Sequence, residues 1–137
     1  MNDIFVLDAC ALVALVKKEK GADNVAIAYK KAESGKAQVI INRINLLEVY
    51  YGFYRENGKE YAEKIMDSVA KSIVSISEFD KALFNEAGRL KASYKISLAD
   101  AIVLAQTIVC GGELLTSDHH EFDVIDGKES IHFGWIR

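Results

Sequence analysis

Ile4-Phe5-Val6-Leu7-Asp8-Ala9-Cys10-Ala11-Leu12 is the stretch that decides the fold. Its first four residues form a short continuous apolar run, as expected of a strand buried on both faces. Asp8 ends that run, and residues 9–18 read as a helix. A buried strand that passes directly into a helix is how an α/β fold with a parallel sheet begins. Asp8 is also out of place there, because a carboxylate among apolar neighbours costs several kcal/mol unless it is paired, protonated or bound to a cation.

The alternation continues outward from this stretch. Gly21 breaks the chain, residues 22–34 read as a helix, and Gly35 stops it. Residues 38–41 are a second strand. Asn42 can cap a helix over 43–56, Asn57-Gly58 turns the chain, and 59–71 is helical again. Residues 72–76 are expected to be a strand, 78–93 a helix, and 98–109 an almost wholly apolar helix closed by Gly111-Gly112. Residues 113–116 form a fourth strand, with a fifth near 131–133. The expected fold is α/β, a three-layer sandwich with a mainly parallel sheet flanked by helices, in a single domain over residues 1–137. Ligands bind such sheets beyond the carboxyl ends of the strands, where both Asp8 and Asp118 fall.

The totals narrow the function. A chain of 137 residues, half of them hydrophobic and 27% charged, has an ordinary globular balance. Its net charge of −3 argues against tight non-specific capture of nucleic acid through phosphate contacts. Cys10 and Cys110 lie in apolar runs and read as small buried thiols; no Cys-x-x-Cys or His/Cys spacing for zinc is present. The start lacks the basic region of a signal peptide, and the apolar run over 98–110 is too short to span a bilayer. These features suit a cytoplasmic protein without membrane contact.

Four carboxylates carry the chemistry, and each has an ordinary alternative. Asp8 sits where an N-cap is favoured. Glu48 lies at the margin of a stripe formed by Ile44, Leu47, Tyr51 and Tyr54, and its neighbours one turn away (Ile44, Asn45, Tyr51, Gly52) include no base. Asp100 follows Ser97 as in a capping box, one methylene shorter than the usual glutamate. Asp118 lies in the polar turn Thr116-Ser117-Asp118-His119-His120-Glu121, whose histidines read as loop residues. Two carboxylates ~4 Å apart repel by roughly 4 kcal/mol at an effective dielectric of 20. If the four converge, a divalent cation is the simplest remedy.

The segments Val6-Leu7-Asp8-Ala9-Cys10-Ala11-Leu12, Asn45-Leu46-Leu47-Glu48-Val49-Tyr50-Tyr51-Gly52, Ser97-Leu98-Ala99-Asp100-Ala101-Ile102-Val103-Leu104-Ala105 and Leu115-Thr116-Ser117-Asp118-His119-His120-Glu121-Phe122-Asp123 resemble, in order and separation, those of PIN domains. Within that family the chain is similar to the VapC-type toxins of toxin–antitoxin pairs. The resemblance implies a Mg²⁺- or Mn²⁺-dependent endoribonuclease acting on RNA phosphodiester bonds. It implies that Asp8, Glu48, Asp100 and Asp118 are the catalytic and metal-binding acids, with Thr116 as the hydroxyl beside the fourth. It also implies an antitoxin partner. The chain departs from many relatives in carrying Ala9-Cys10 where a serine or threonine stands. The last block is also longer between Asp118 and Phe122, which leaves either Glu121 or Asp123 to follow Asp118 into the site.

Other features bear on partners and rivals. Tyr50, Tyr51, Phe53 and Tyr54 place more aromatic surface on one helix than a single buried stripe needs, which suits a homodimer. Arg43, Arg89, Lys91 and Lys95 are candidates for gripping RNA. A haloacid-dehalogenase-like phosphatase would use Asp8 as nucleophile, but it needs a second aspartate where Cys10 stands. A catalytically silent PIN-like or receiver-like binding module, acting through protein contacts, is the remaining alternative.

Overall fold

The computed structural model describes residues 3–137. Within them the chain forms β1 (Asp3–Leu7), α1 (Ala9–Lys17), α2 (Ala22–Glu33), β2 (Ala37–Asn42), α3 (Arg43–Asn57) and α4 (Lys59–Ala70). It continues with β3 (Ser75–Ser77), α5 (Lys81–Ser93), α6 (Leu98–Cys110), β4 (Glu113–Thr116), α7 (His119–Phe122) and β5 (His132–Trp135). The strands make one sheet in the order β3-β2-β1-β4-β5, and every pairing is parallel. No described helix is long and apolar enough to cross a membrane.

Strand periodicity sorts the core into two layers, one on each face of the sheet. Phe5, Leu7, Val39, Ile41 and Leu115 face α1, α2, α3 and α4, where Leu12, Val25, Leu46, Phe53 and Val69 meet them. Val6 and Leu114 face the opposite way, onto Leu83 and Leu90 of α5, onto α6 from Ala101 to Ala105, and onto Phe122. Burial on both faces explains why β1 is a continuous apolar run rather than an alternating one. The C-terminal tail closes against the start of α2. There Gly21, at φ 98°, comes so close to Ile136 that a Cβ would lie 2.9 Å from the Ile136 carbonyl oxygen.

Several local expectations are corrected. The third strand is Ser75–Ser77, because residues 72–74 form a turn in which the Ser72 hydroxyl donates to the Val69 carbonyl and accepts from the Val74 amide. The fifth strand begins at His132 and runs to Trp135. Helix α5 starts at Lys81, capped by Asp80, whose carboxylate accepts from the Leu83 amide at 3.0 Å. Glu78 lies outside that helix and pairs with Arg43. The buried face of α3 is Asn45, Leu46, Val49 and Phe53, while Leu47, Tyr51 and Tyr54 are exposed. Cys10 is exposed, whereas Cys110 is half-buried and packs against the core layer under α5 and α6.

Candidate functional site

The strand order reverses its direction of growth at β1. Chain order runs outward from β1 through β2 to β3, then returns to β1's other side for β4 and β5. The crevice beyond the carboxyl ends of β1 and β4 is therefore the topological switch point, where open α/β sheets bind ligands. Leu7 stands opposite Leu115 in the register, so Asp8 and Thr116 emerge side by side.

Asp8 is 6% exposed and is held from two sides. As N-cap of α1 it accepts from the Ala11 amide at 2.8 Å, and it also accepts from the Thr116 hydroxyl. Thr116, itself fully buried, accepts from the Asp118 amide at 3.0 Å. One hydroxyl thus joins the first acid to the backbone of the fourth. Burial pushes the Asp8 carboxyl up to about 7; the Thr116 and Ala11 hydrogen bonds oppose the rise, and the charges of Asp118 and Asp100 add to it.

Asp100 is the third residue of α6, where its amide donates to the Ser97 hydroxyl at 3.1 Å. Its carboxyl is raised to about 6, first by burial, with Ser97 opposing and Asp118, Glu121 and Glu48 adding their repulsion. Glu48, half-buried on α3, is also raised by burial, opposed by the Asn45 amide, which donates to Oε1 at 3.3 Å. Asp118 caps α7 by accepting from the Glu121 amide at 3.2 Å.

The thiol of Cys10 registers all four acids at once. Though its surface is exposed, the thiol is pushed up to about 12 by the desolvation of the packed side it faces, and then by the charges of Asp8, Asp118, Glu48 and Asp100. The capping readings are therefore correct for Asp8, Asp100 and Asp118, and the three caps lie within charge range of one another. Among the described residues, though, no three His, Cys, Asp or Glu side chains close into a ligand set for a metal ion. What the acids share is charge range rather than a common point. The donors are all hard oxygens, desolvated and mutually repelling, a combination that suits a small divalent cation.

The structure also separates the candidates that the sequence left open. Glu121 lies within charge range of Asp100, whereas Asp123 is turned to His119, whose Nδ1 is 3.0 Å from its Oδ1. His119 is no loop residue. It begins α7, stacks on Trp135 at 3.9 Å between ring centroids, and places Nε2 2.9 Å from the Arg137 carbonyl. Of the proposed grips, Arg43 holds Glu78 through three hydrogen bonds, Arg89 holds Glu86 and Glu129, and Lys91 donates to the Ile96 carbonyl. Lys95 is exposed. Asn45, passed over in the sequence, links α3 to α6 by donating to the Ala99 carbonyl at 3.1 Å as well as to Glu48. Its signal in the sequence was a poor helix former one turn before an acid.

Comparison with known proteins agrees with this architecture. No curated protein matches the sequence. Among solved structures the chain is similar to VapBC2 from Rickettsia felis, bound to a DNA fragment from its promoter, at 20% identity and TM-score 0.76, covering 96% of this chain and 98% of that one. It is similar to DNA-bound VapBC from Salmonella typhimurium at 16% identity and TM-score 0.75, covering all of both chains. It is also similar to VapC20 of Mycobacterium tuberculosis, described as a sarcin–ricin loop cleaving toxin, at 19% identity and TM-score 0.58, covering 82% of this chain and 87% of that one. A family model for the PIN domain matches residues 5–128, and the chain belongs to the PIN domain family.

Proposed function

We propose that this protein is a Mg²⁺- or Mn²⁺-dependent endoribonuclease and the toxin of a toxin–antitoxin pair. The observation that carries the reading is the group of desolvated carboxylates at the β1/β4 switch point, with Asp8 raised to about 7 and Asp100 to about 6 and no base among the causes of either shift. Family membership and the likeness to VapC toxins support a nuclease of this kind, and the sarcin–ricin loop cleavage of VapC20 supports RNA as substrate.

Asp8 and Asp100 are the proposed direct metal ligands, with Glu48 and Asp118 completing the shell. A bound divalent ion would supply a polarised phosphate and an activated water. The chain's own contribution is rigidity. Asp8 spends one lone pair of each oxygen on Ala11 and Thr116 and keeps the others for a ligand. Asp118 is fixed by its own amide's bond to Thr116 and by its cap of α7. Glu121 adds negative charge near Asp100. With a net charge of −3, affinity must come from shaped contacts near the acids, which favours cleavage of one or a few structured RNAs.

The partners belong to the same proposal. Leu47, Tyr51 and Tyr54, each about half exposed along α3, form the surface for a homodimer that also accepts an antitoxin segment. Purified protein should cleave RNA with Mg²⁺ or Mn²⁺ and stop when EDTA is added. Cleavage that persists undiminished in EDTA, with contaminating nuclease controlled for, would reject the mechanism; no cleavage of any RNA would favour a silent binding module.

A further inference from the structure

We propose that Asn45 is a positioning residue of the acidic site: its amide nitrogen ties the Glu48 carboxylate to the Ala99 carbonyl, so that the acid of α3 and the helix start bearing Asp100 are held as one unit. The proposal rests on the preceding reading that these acids hold a divalent ion.

Helix α3 packs on one face of the sheet and α6 on the other. Asn45, 1% exposed, bridges the two layers beyond the strand ends. Both hydrogens of Nδ2 are spent, one on Glu48 Oε1 at 3.3 Å and one on the Ala99 carbonyl at 3.1 Å. This fixes the orientation of the amide, because the reversed group would set its oxygen against two acceptors. The oxygen pays for that arrangement: Asn45 Oδ1 is buried with no hydrogen-bond partner among the described residues.

An orphaned buried acceptor destabilises a fold, and an apolar side chain of similar size removes the penalty. Asparagine is also a poor helix former in an interior position. Replacing Asn45 relieves the orphaned oxygen but withdraws a donor from Glu48 and the Ala99 carbonyl, so stability gives little net reason for Asn45, whereas placement of Glu48 relative to Ala99 and Asp100 does. Gly52, one turn beyond Glu48, has nothing within 4 Å of where a Cβ would stand, so no side chain fills that side of the helix. The Asn45 amide is the contact that selects its position.

The test is Mn²⁺ binding by calorimetry to the full chain, in a cycle of wild type, Asn45→Leu, Glu48→Gln and the double variant, with Asp8→Asn as control. Asn45→Leu should keep or raise the metal-free melting temperature and weaken Mn²⁺ binding about 10- to 100-fold, the usual effect of removing a group that orients a ligand. Because Asn45 acts through Glu48, the double variant should bind no more weakly than Glu48→Gln alone. Wild-type affinity in Asn45→Leu, or losses that multiply in the double variant, would overturn the proposal. If Asn45→Leu does not fold, the smaller Asn45→Ala carries the same cycle. Failure of both to fold also overturns it, since Asn45 would then hold the fold rather than the site. If Asp8→Asn binds Mn²⁺ like wild type, the metal reading itself falls; if Asp8→Asn loses binding while the Asn45 variants retain it, only the positioning role falls.

Discussion

Two groups of carboxylates in this molecule have opposite fates. Around Arg89, Glu129 accepts from the guanidinium at 2.7 Å and from the Tyr94 hydroxyl at 2.6 Å, and Glu86 closes the other side. Arg89, followed by Tyr94, holds the Glu129 carboxyl below its ordinary range. At the β1/β4 crevice the same chemical group is pushed upward, because Asp8 and Asp100 are desolvated among other acids. The first arrangement is spent on holding α5 to the loop before β5. The second also caps helices, through Asp8 and Asp118, but leaves the mutual repulsion of its charges without a basic partner. Size does not make this distinction. A groove of about 560 Å³ opens at the opposite edge of the sheet, lined in part by Asp3, Lys31, Cys110 and Glu113, and there Glu113 pairs with His132 at 2.9 Å. Unrelieved charge, rather than volume, sets the acidic crevice apart from this groove.

The contrast can be broken most forcefully at Asp8. Asp8→Asn keeps the N-cap and the Thr116 contact, and it should lower RNA cleavage at least ~100-fold while the metal-free melting temperature holds or rises. The burial and repulsion relieved are worth up to about 4 kcal/mol. Intact cleavage, or a large drop in melting temperature, would place Asp8 with the structural carboxylates instead.

Proton linkage sharpens the comparison next. The folded pKa of Asp8, about 7, lies above its ordinary value of 3.8, so between the two the folded protein binds more protons than the unfolded chain. Its contribution to metal-free stability therefore falls as pH rises through that window. Glu129 has the opposite sign: its lowered pKa contributes stability that is present above its ordinary 4.5 and lost as acidification passes the folded value. Melting temperatures of the metal-free protein from pH 7 to pH 5 should show an upward component that Asp8→Asn removes. An unchanged profile in that variant would contradict the shift.

Smaller effects follow at the paired group and on the surface. Glu129→Gln should cost on the order of 1 kcal/mol, as expected for a partly exposed ion pair, and leave cleavage unaltered; lost cleavage would mean that the Arg89 group serves the site. Tyr51→Glu should change monomer stability by no more than about 0.5 kcal/mol, yet convert a dimer to a monomer by light scattering. A wild type that is already monomeric at micromolar concentration would remove α3 as a self-contact.

Most of the framework was legible because burial on both faces of a parallel sheet writes itself as continuous apolar runs, as in Val6-Leu7 and Leu114-Leu115. The acids were legible for the complementary reason, since each interrupts or borders such a run. The misreadings have local causes. On α3, Phe53 was grouped with the surface tyrosines, although it fills the interior with Leu46 and Val49 while Tyr51 and Tyr54 place their rings on the solvent side. Cys10 was judged by its apolar neighbours, but the helical turn rotates position 10 outward while Ala11 and Leu12 point in. Helix α7 hid behind two histidines, though Asp118 and Glu121 stand at cap spacing. That Glu121 rather than Asp123 lies within charge range of Asp100 was hidden in the sequence, because the contacts of His119 with Asp123 and Trp135 are brought together only by the fold.

The bond from Thr116 to Asp8 joins residues 108 positions apart. Contacts of such long range carry the largest loop-closure entropy and form late. During synthesis, β1 and α1 leave the ribosome long before β4 exists, and the first acid then has neither its hydroxyl donor nor the fourth acid beside it. The crevice is assembled only when β4 inserts next to β1. The order of the strands itself thus delays the crevice until nearly the whole fold is available to restrain its acids.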